Sequence, residues 1–121
     1  MPIQHVLIVD DSKTEQMFIS SIIKNQGMTV SFADNGDAAM VELERQKPDL
    51  ILMDVIMPGK NGFQLTRQIS KDERVADIPI ISCTSKNQEV EKGWGLRQGA
   101  RAYVTKPVNP DTLLAKIREL G

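Results

Sequence analysis

Four apolar runs of this chain are followed by polar side chains able to do chemistry. Asp10 and Asp11 follow the run 6–9, Asp54 follows 50–53, Thr84 follows 78–81, and Lys106 follows 102–104. Three carboxylates brought together repel one another and resist ionisation unless a hard cation compensates them. Mg²⁺ accepts one or two carboxylates while keeping several waters, so the acidic set predicts that metal. A carboxylate in such a cluster can also act as a nucleophile toward phosphorus, forming an aspartyl-phosphate. A lysine and a hydroxyl would then hold the remaining phosphoryl oxygens. Asp54, Lys106 and Thr84 are of the types these roles need.

Each residue also has a structural reading. Asp11 and Ser12 are of the types that cap a helix N-terminus, Lys106-Pro107 can be a plain turn, and Thr84 can be a strand-end hydroxyl bonded to local backbone. Asp54 is different, because it ends the run Leu50-Ile51-Leu52-Met53 and is followed by Met57-Pro58-Gly59. That is a turn, not a helix start in need of a cap, and a carboxylate at an apolar mouth is partly desolvated. The functional reading of Asp54 is preferred.

The elements that must position these residues are legible in the hydrophobic pattern. Short aliphatic or β-branched runs at 6–9, 29–32, 50–53, 78–81 and 102–104 predict five strands. Three of them are nearly continuous apolar runs, as in parallel strands buried on both faces. Amphipathic stretches at 13–25, 37–46, 62–70, 88–98 and 111–120 predict helices between and after them. Ser12, Asn61, Asn87 and Asn109 are N-cap candidates, and Gly27 and Gly99 are placed to end helices. Five alternating βα units with right-handed crossovers are too few for an eightfold barrel, so an open, doubly wound, flavodoxin-like α/β sheet is expected. In such a sheet the ligand site lies outside the carboxyl ends of the strands, where the acids, Thr84 and Lys106 all fall.

Composition narrows the function. With 40% hydrophobic residues and 8 glycines in 121 positions, the chain is of ordinary globular make-up and of single-domain size. Fifteen basic against sixteen acidic residues, with no long run of one sign, argue against a general nucleic-acid grip. Cys83 is the single cysteine, the first residues lack a basic and apolar leader pattern, and no apolar stretch approaches a membrane span. A soluble, cytoplasmic protein without membrane insertion is expected. The fifth helical pattern ends one residue before Gly121, which predicts one domain over 1–121, no output domain, and action in trans.

The acidic pair Asp10-Asp11, the stretch Asp-Val-Ile-Met-Pro-Gly-Lys-Asn-Gly from position 54, Thr84 and Lys106-Pro107 occur together with no gap in the pattern. On these motifs the sequence resembles the receiver domains of bacterial response regulators, the CheY-like family, across essentially its whole length. The resemblance implies strand order 2-1-3-4-5 and a signalling protein whose only catalysis is its own phosphotransfer and dephosphorylation. It implies that Asp54 is the phosphoacceptor, that Asp10, Asp11, Asp54 and the backbone carbonyl of Ile56 hold Mg²⁺, and that Thr84 bonds and Lys106 pairs with the phosphoryl group. The Lys106–Pro107 peptide is expected to be cis.

By the same resemblance, phosphorylation draws Thr84 toward the phosphate and turns Tyr103 inward, a two-state shift limited by the differential contact energy. A protein effector would dock on the face made by the fourth helix, fifth strand and fifth helix. The implied phosphodonor is a CheA-like histidine kinase, with the chain a monomer or a weak phosphorylation-dependent dimer. Within the family, the segment 86–106 is similar to the PilH-type regulators of type IV pilus chemosensory systems and twitching motility. The alternatives are a phosphate sink draining a shared kinase, or a receiver of flagellar chemotaxis or another pathway.

The predicted fourth helix is individual. It contains Gly93 and Gly95, each costing about 1 kcal/mol relative to Ala, and is expected to be the loosest helix. If Leu96 faces the core, Trp94 points away from it as a docking residue. Ile56 and Lys86 replace polar pairings that influence water access in the family, and Ile56 is expected to lengthen the phosphorylated state. A flavin carrier is disfavoured because Asp10-Asp11 would repel a flavin phosphate, and a phosphoester hydrolase because no cap or lid segment is present to enclose a substrate.

Overall fold

The computed structural model describes residues 3–55, 62–85 and 99–120. Five parallel strands form one sheet: β1 (His5–Val9), β2 (Thr29–Ala33), β3 (Leu50–Asp54), β4 (Ile80–Ser85) and β5 (Ala102–Lys106), in the order β2-β1-β3-β4-β5. The described helices are α1 (Lys13–Lys24), α2 (Gly36–Arg45), α3 (Gly62–Lys71) and a C-terminal α4 (Pro110–Leu120). This is the expected doubly wound architecture. The fourth predicted helix at 88–98 lies outside the described residues, as do Ile56, Lys86, Trp94 and the cap candidates Asn61 and Asn87.

Alternation of side chains across each strand divides the core in two. Leu7, Val9, Ile51, Met53 and Ile80 pack with Ala39 and Leu43 of α2 and Leu65 and Ile69 of α3. Val6, Ile8, Leu50, Leu52, Ile81, Cys83 and Val104 pack on the other face with Ile19, Ile22 and Ile23 of α1 and Leu113 and Ile117 of α4. Both faces of β1 and β3 are thereby covered, which is why their sequences run apolar without alternation.

The helix starts follow local chemistry. The Ser12 hydroxyl accepts the Glu15 N–H at 3.3 Å, and the Asn109 side chain accepts the Thr112 N–H at 3.1 Å, ahead of Pro110 at the first helical position. Helix α2 begins one residue before the expected 37, because Asn35 captures the Ala38 N–H at 2.8 Å and sets the cap there. Gly27 and Gly99 have φ of 85° and 117°, the left-handed conformations their positions suggested.

Strand β4 departs from expectation: it covers Ile80–Ser85, not 78–81. Pro79 has no N–H to extend the ladder, although its carbonyl still accepts the Ile51 N–H at 3.0 Å. The strand instead runs on in register with β5, pairing Cys83 with Val104, Thr84 with Thr105 and Ser85 with Lys106. Thr84, Asp54 and Lys106 are therefore within strand ends and not in the loops behind them. Among the described residues no helix is long and apolar enough to cross a membrane.

Candidate functional site

The face that carries Val6 and Ile8 in β1 next carries Asp10. On the same face Leu50 and Leu52 lead to Asp54, and Ala102 and Val104 lead to Lys106. The sheet order sets β1 beside β3, so Asp10 and Asp54 become neighbours, and Lys106 reaches both from β5, two strands from β3 and three from β1. Its Nζ donates to Asp10 Oδ2 at 3.1 Å and to Asp54 Oδ1 at 3.0 Å. Asp10 and Asp54 are buried, while Asp11 beside them is exposed. One oxygen from each of the three acids lies within 4.8 Å of the others.

A cleft of about 310 Å³ opens here, lined by the three acids, Ser12, Val55, Cys83 and Lys106. Cys83, opposite Asp54 in the register, is buried on the wall of the cleft. The Asp10 backbone is tied on both sides: its N–H donates to the Ala33 carbonyl at 3.0 Å, and its carbonyl accepts from Gln16 Nε2 at 2.6 Å. Asp10 Oδ1 accepts the Ser12 N–H at 2.9 Å. The cap reading thus holds for Ser12, and Asp11 is left to the acidic cluster.

Burial raises the Asp54 carboxyl above the ordinary carboxylate range, and the Asp10 and Asp11 charges push the same way, against the lowering contact with Lys106. For Lys106, burial alone would lower the value, but hydrogen bonds and charge attraction from Asp54 and Asp10 outweigh it and the ammonium is held above its usual range. The contact stabilises both charges alike, and the Asp54 carboxyl is nonetheless raised because burial first, and then the like charges of Asp10 and Asp11, outweigh it. One lysine for three acids leaves a surplus of negative charge on hard oxygen donors, a set that suits Mg²⁺.

The structure brings together Asp10, Asp11, Asp54 and Lys106, and the Lys106–Pro107 peptide is cis as expected. It places Thr84 one residue beyond the Asp54–Cys83 pairing. Tyr103 is on β5 opposite Ser82, exposed, and on the opposite face from Lys106. Sequence reasoning missed Gln16 and Cys83 as members of the site. Gln16 had a signal: it is the polar residue at the head of the stripe it forms with Ile19 and Ile23 on α1. A larger cleft, about 460 Å³ between Met40 and Val75, holds Glu44 and Asp72 paired with Arg74, and Lys47 paired with Asp77 beyond its lining.

Residues 6–118 match the family described as the response regulator receiver domain. The chain belongs to that family. This receiver is 49% identical to the protein PilH of Pseudomonas aeruginosa over 112 residues, covering 93% of each chain. It is 39% identical to the phosphate regulon transcriptional regulatory protein PhoB of the same organism, covering 93% of this chain and 49% of PhoB. Among solved structures, a putative response regulator from Chloroflexus aurantiacus superposes with a TM-score of 0.94 at 27% identity, covering 99% of this chain and 98% of the other. The Vibrio cholerae chemotaxis protein CheY4 gives 0.90 at 28%, covering 98% and 99%. The receiver is a signalling domain of two-component systems, with a histidine kinase as phosphodonor and a downstream partner.

Proposed function

We propose that this receiver is phosphorylated on Asp54 and acts in a PilH-like role. The observation that carries the reading is the convergence of Asp10, Asp11, Asp54 and Lys106 in one cleft, with the Lys106 ammonium within hydrogen-bond reach of two of the acids. An Asp54 carboxylate oxygen forms the new bond to phosphorus while the bond from phosphorus to the kinase imidazole nitrogen breaks, and that nitrogen keeps the electron pair. Lys106 gives up its contact with Asp54 and pairs with a phosphoryl oxygen. The Thr84 hydroxyl takes another, so that the switch toward the Tyr103 face follows from contacts made only in the phosphorylated state.

Asp10, Asp11, Asp54 and the Ile56 carbonyl would hold Mg²⁺, which when bound supplies charge neutralisation to the phosphoryl oxygens. The buried position of Asp54 limits the approach of water to the phosphorus of the acyl phosphate, and an apolar Ile56 two residues on is expected to lengthen the phosphorylated state. The 49% identity with PilH over nearly the whole of both chains favours a role in type IV pilus chemosensory control.

The test is intact mass after incubation with acetyl phosphate and Mg²⁺. The wild type is expected to gain one phosphoryl group, and Asp54→Asn and the chelated wild type none. An adduct that survives Asp54→Asn refutes the assignment. Binding of a pilus-system partner only to the phosphorylated form supports the messenger role, whereas faster loss of phosphate from a sister regulator on adding this protein supports the sink.

A further inference from the structure

We propose that Gln16 is a positioning residue for the metal-binding acids, acting through the Asp10 backbone and itself set by Asp34. The proposal rests on the reading of Asp10 and Asp11 as metal ligands. Gln16 is only 4% exposed on α1. Its amide nitrogen lies 2.6 Å from the Asp10 carbonyl oxygen and 2.8 Å from Asp34 Oδ1. Both neighbours are acceptors, so the amide must turn its NH₂ toward them, and its two hydrogens are spent one on each. Asp34 is fixed in turn by Lys13 Nζ, at 2.8 and 3.1 Å from its two oxygens.

The consequence is mechanical. The Asp10 N–H is bonded to Ala33 of the neighbouring strand and the Asp10 carbonyl to Gln16, so the peptide units on both sides of the Asp10 Cα are anchored. The peptide that Gln16 holds is also the one that leads into Asp11, and its orientation decides where the second carboxylate of the pair stands. Three acids within 4.8 Å of one another repel, and an unanchored peptide would relieve that repulsion by turning. A buried amide is costly unless its hydrogen bonds are made, and this one makes them to the site and to Asp34 while Ile19 and Ile23 on the same stripe serve the core.

The experiment is the Mg²⁺ dissociation constant by calorimetry on the full chain, for wild type, Gln16→Met, Asp34→Ala and the double variant, with urea midpoints alongside. Methionine keeps the length and loses the donor. Gln16→Met is expected to weaken Mg²⁺ binding roughly tenfold, the equivalent of about one hydrogen bond. Asp34→Ala should weaken it by roughly twofold to threefold, and the double variant no further than Gln16→Met alone, because the two act in series. In metal-free protein the Asp11 amide nitrogen resonance should move in Gln16→Met, since it reports the hydrogen bond to the preceding carbonyl. A lowered urea midpoint with unchanged Mg²⁺ affinity overturns the proposal and leaves Gln16 a structural residue. If Gln16→Met does not fold, Asp34→Ala carries the test, and wild-type affinity there overturns it. A wild type that binds no Mg²⁺ overturns the metal reading of the site together with this inference, whereas normal wild-type binding with unaffected variants sinks this inference alone.

Discussion

Asp54 is held at a cost that its neighbours only partly offset. Its carboxyl is raised by burial and by the two nearby acids, so the folded state binds its proton more tightly than the unfolded chain does. That contribution favours the fold in acid and is lost as pH rises through the folded value, so ionised Asp54 opposes folding at neutral pH. Asp54→Asn keeps the shape without the charge. Its urea midpoint at pH 7 is expected to exceed that of the wild type, with the gain shrinking as the pH falls through the raised folded value toward the ordinary carboxylate range. Cys83, on the cleft wall, has its thiol pushed up to about 12 by burial, with Asp54 and Asp10 opposing its ionisation and Lys106 favouring it. It should therefore resist alkylation at pH 8 in the folded protein and react at once in urea. Because the folded value exceeds the ordinary 9.0, the thiol withdraws stability as pH rises from about 9 toward 12.

At the scale of elements, α3 is pressed against the end of β3. The Gly62 N–H donates to the Val55 carbonyl at 2.8 Å, and a methyl group at Gly62 would overlap the Asp54 carbonyl oxygen and the Val55 Cα. Backbone cannot move aside as a flexible side chain can. Gly62→Ala should cost about 1–3 kcal/mol of unfolding free energy and also slow adduct formation by acetyl phosphate, since the strand end that yields is the one carrying Asp54. Helix α1 was legible from its Ser12 start and apolar stripe, but the work of Gln16 was not, because its partners Asp10 and Asp34 lie on two different strand ends. The misplaced start of β4 has a plain cause: Pro79 lies inside an aliphatic run, but its missing N–H, already carried by the residue type, keeps the ladder from extending through it.

For the whole molecule, a cation that binds only the folded cluster adds stability by mass action. Mg²⁺ at roughly ten times its dissociation constant should add about 1.4 kcal/mol and raise the melting temperature until the site saturates. Asp11→Asn, at an exposed position, should keep the fold and lose most of that response, as followed by thermal melts across Mg²⁺ concentrations. The response should also fade in acid at a pH above the usual carboxylate range, because Asp54 takes up its proton early and competes with the metal.

The sequence alone determined the local patterns: apolar runs long enough for strands, amphipathic stretches between them, caps at Ser12 and Asn109, and acids, threonine and lysine placed at or just past the carboxyl ends of strands. These follow from period and residue type within a few positions, which is all that local physics needs. Tertiary structure decided which of those ends meet. Lys106 touches acids 96 and 52 residues away, a relation set by the order β2-β1-β3-β4-β5 and by the sheet face that the three residues share. It also decided that Asp54 is buried among like charges and that Gln16 serves the site as well as the core. Such facts depend on the sum of contacts from distant strands, and no short window of sequence contains that sum.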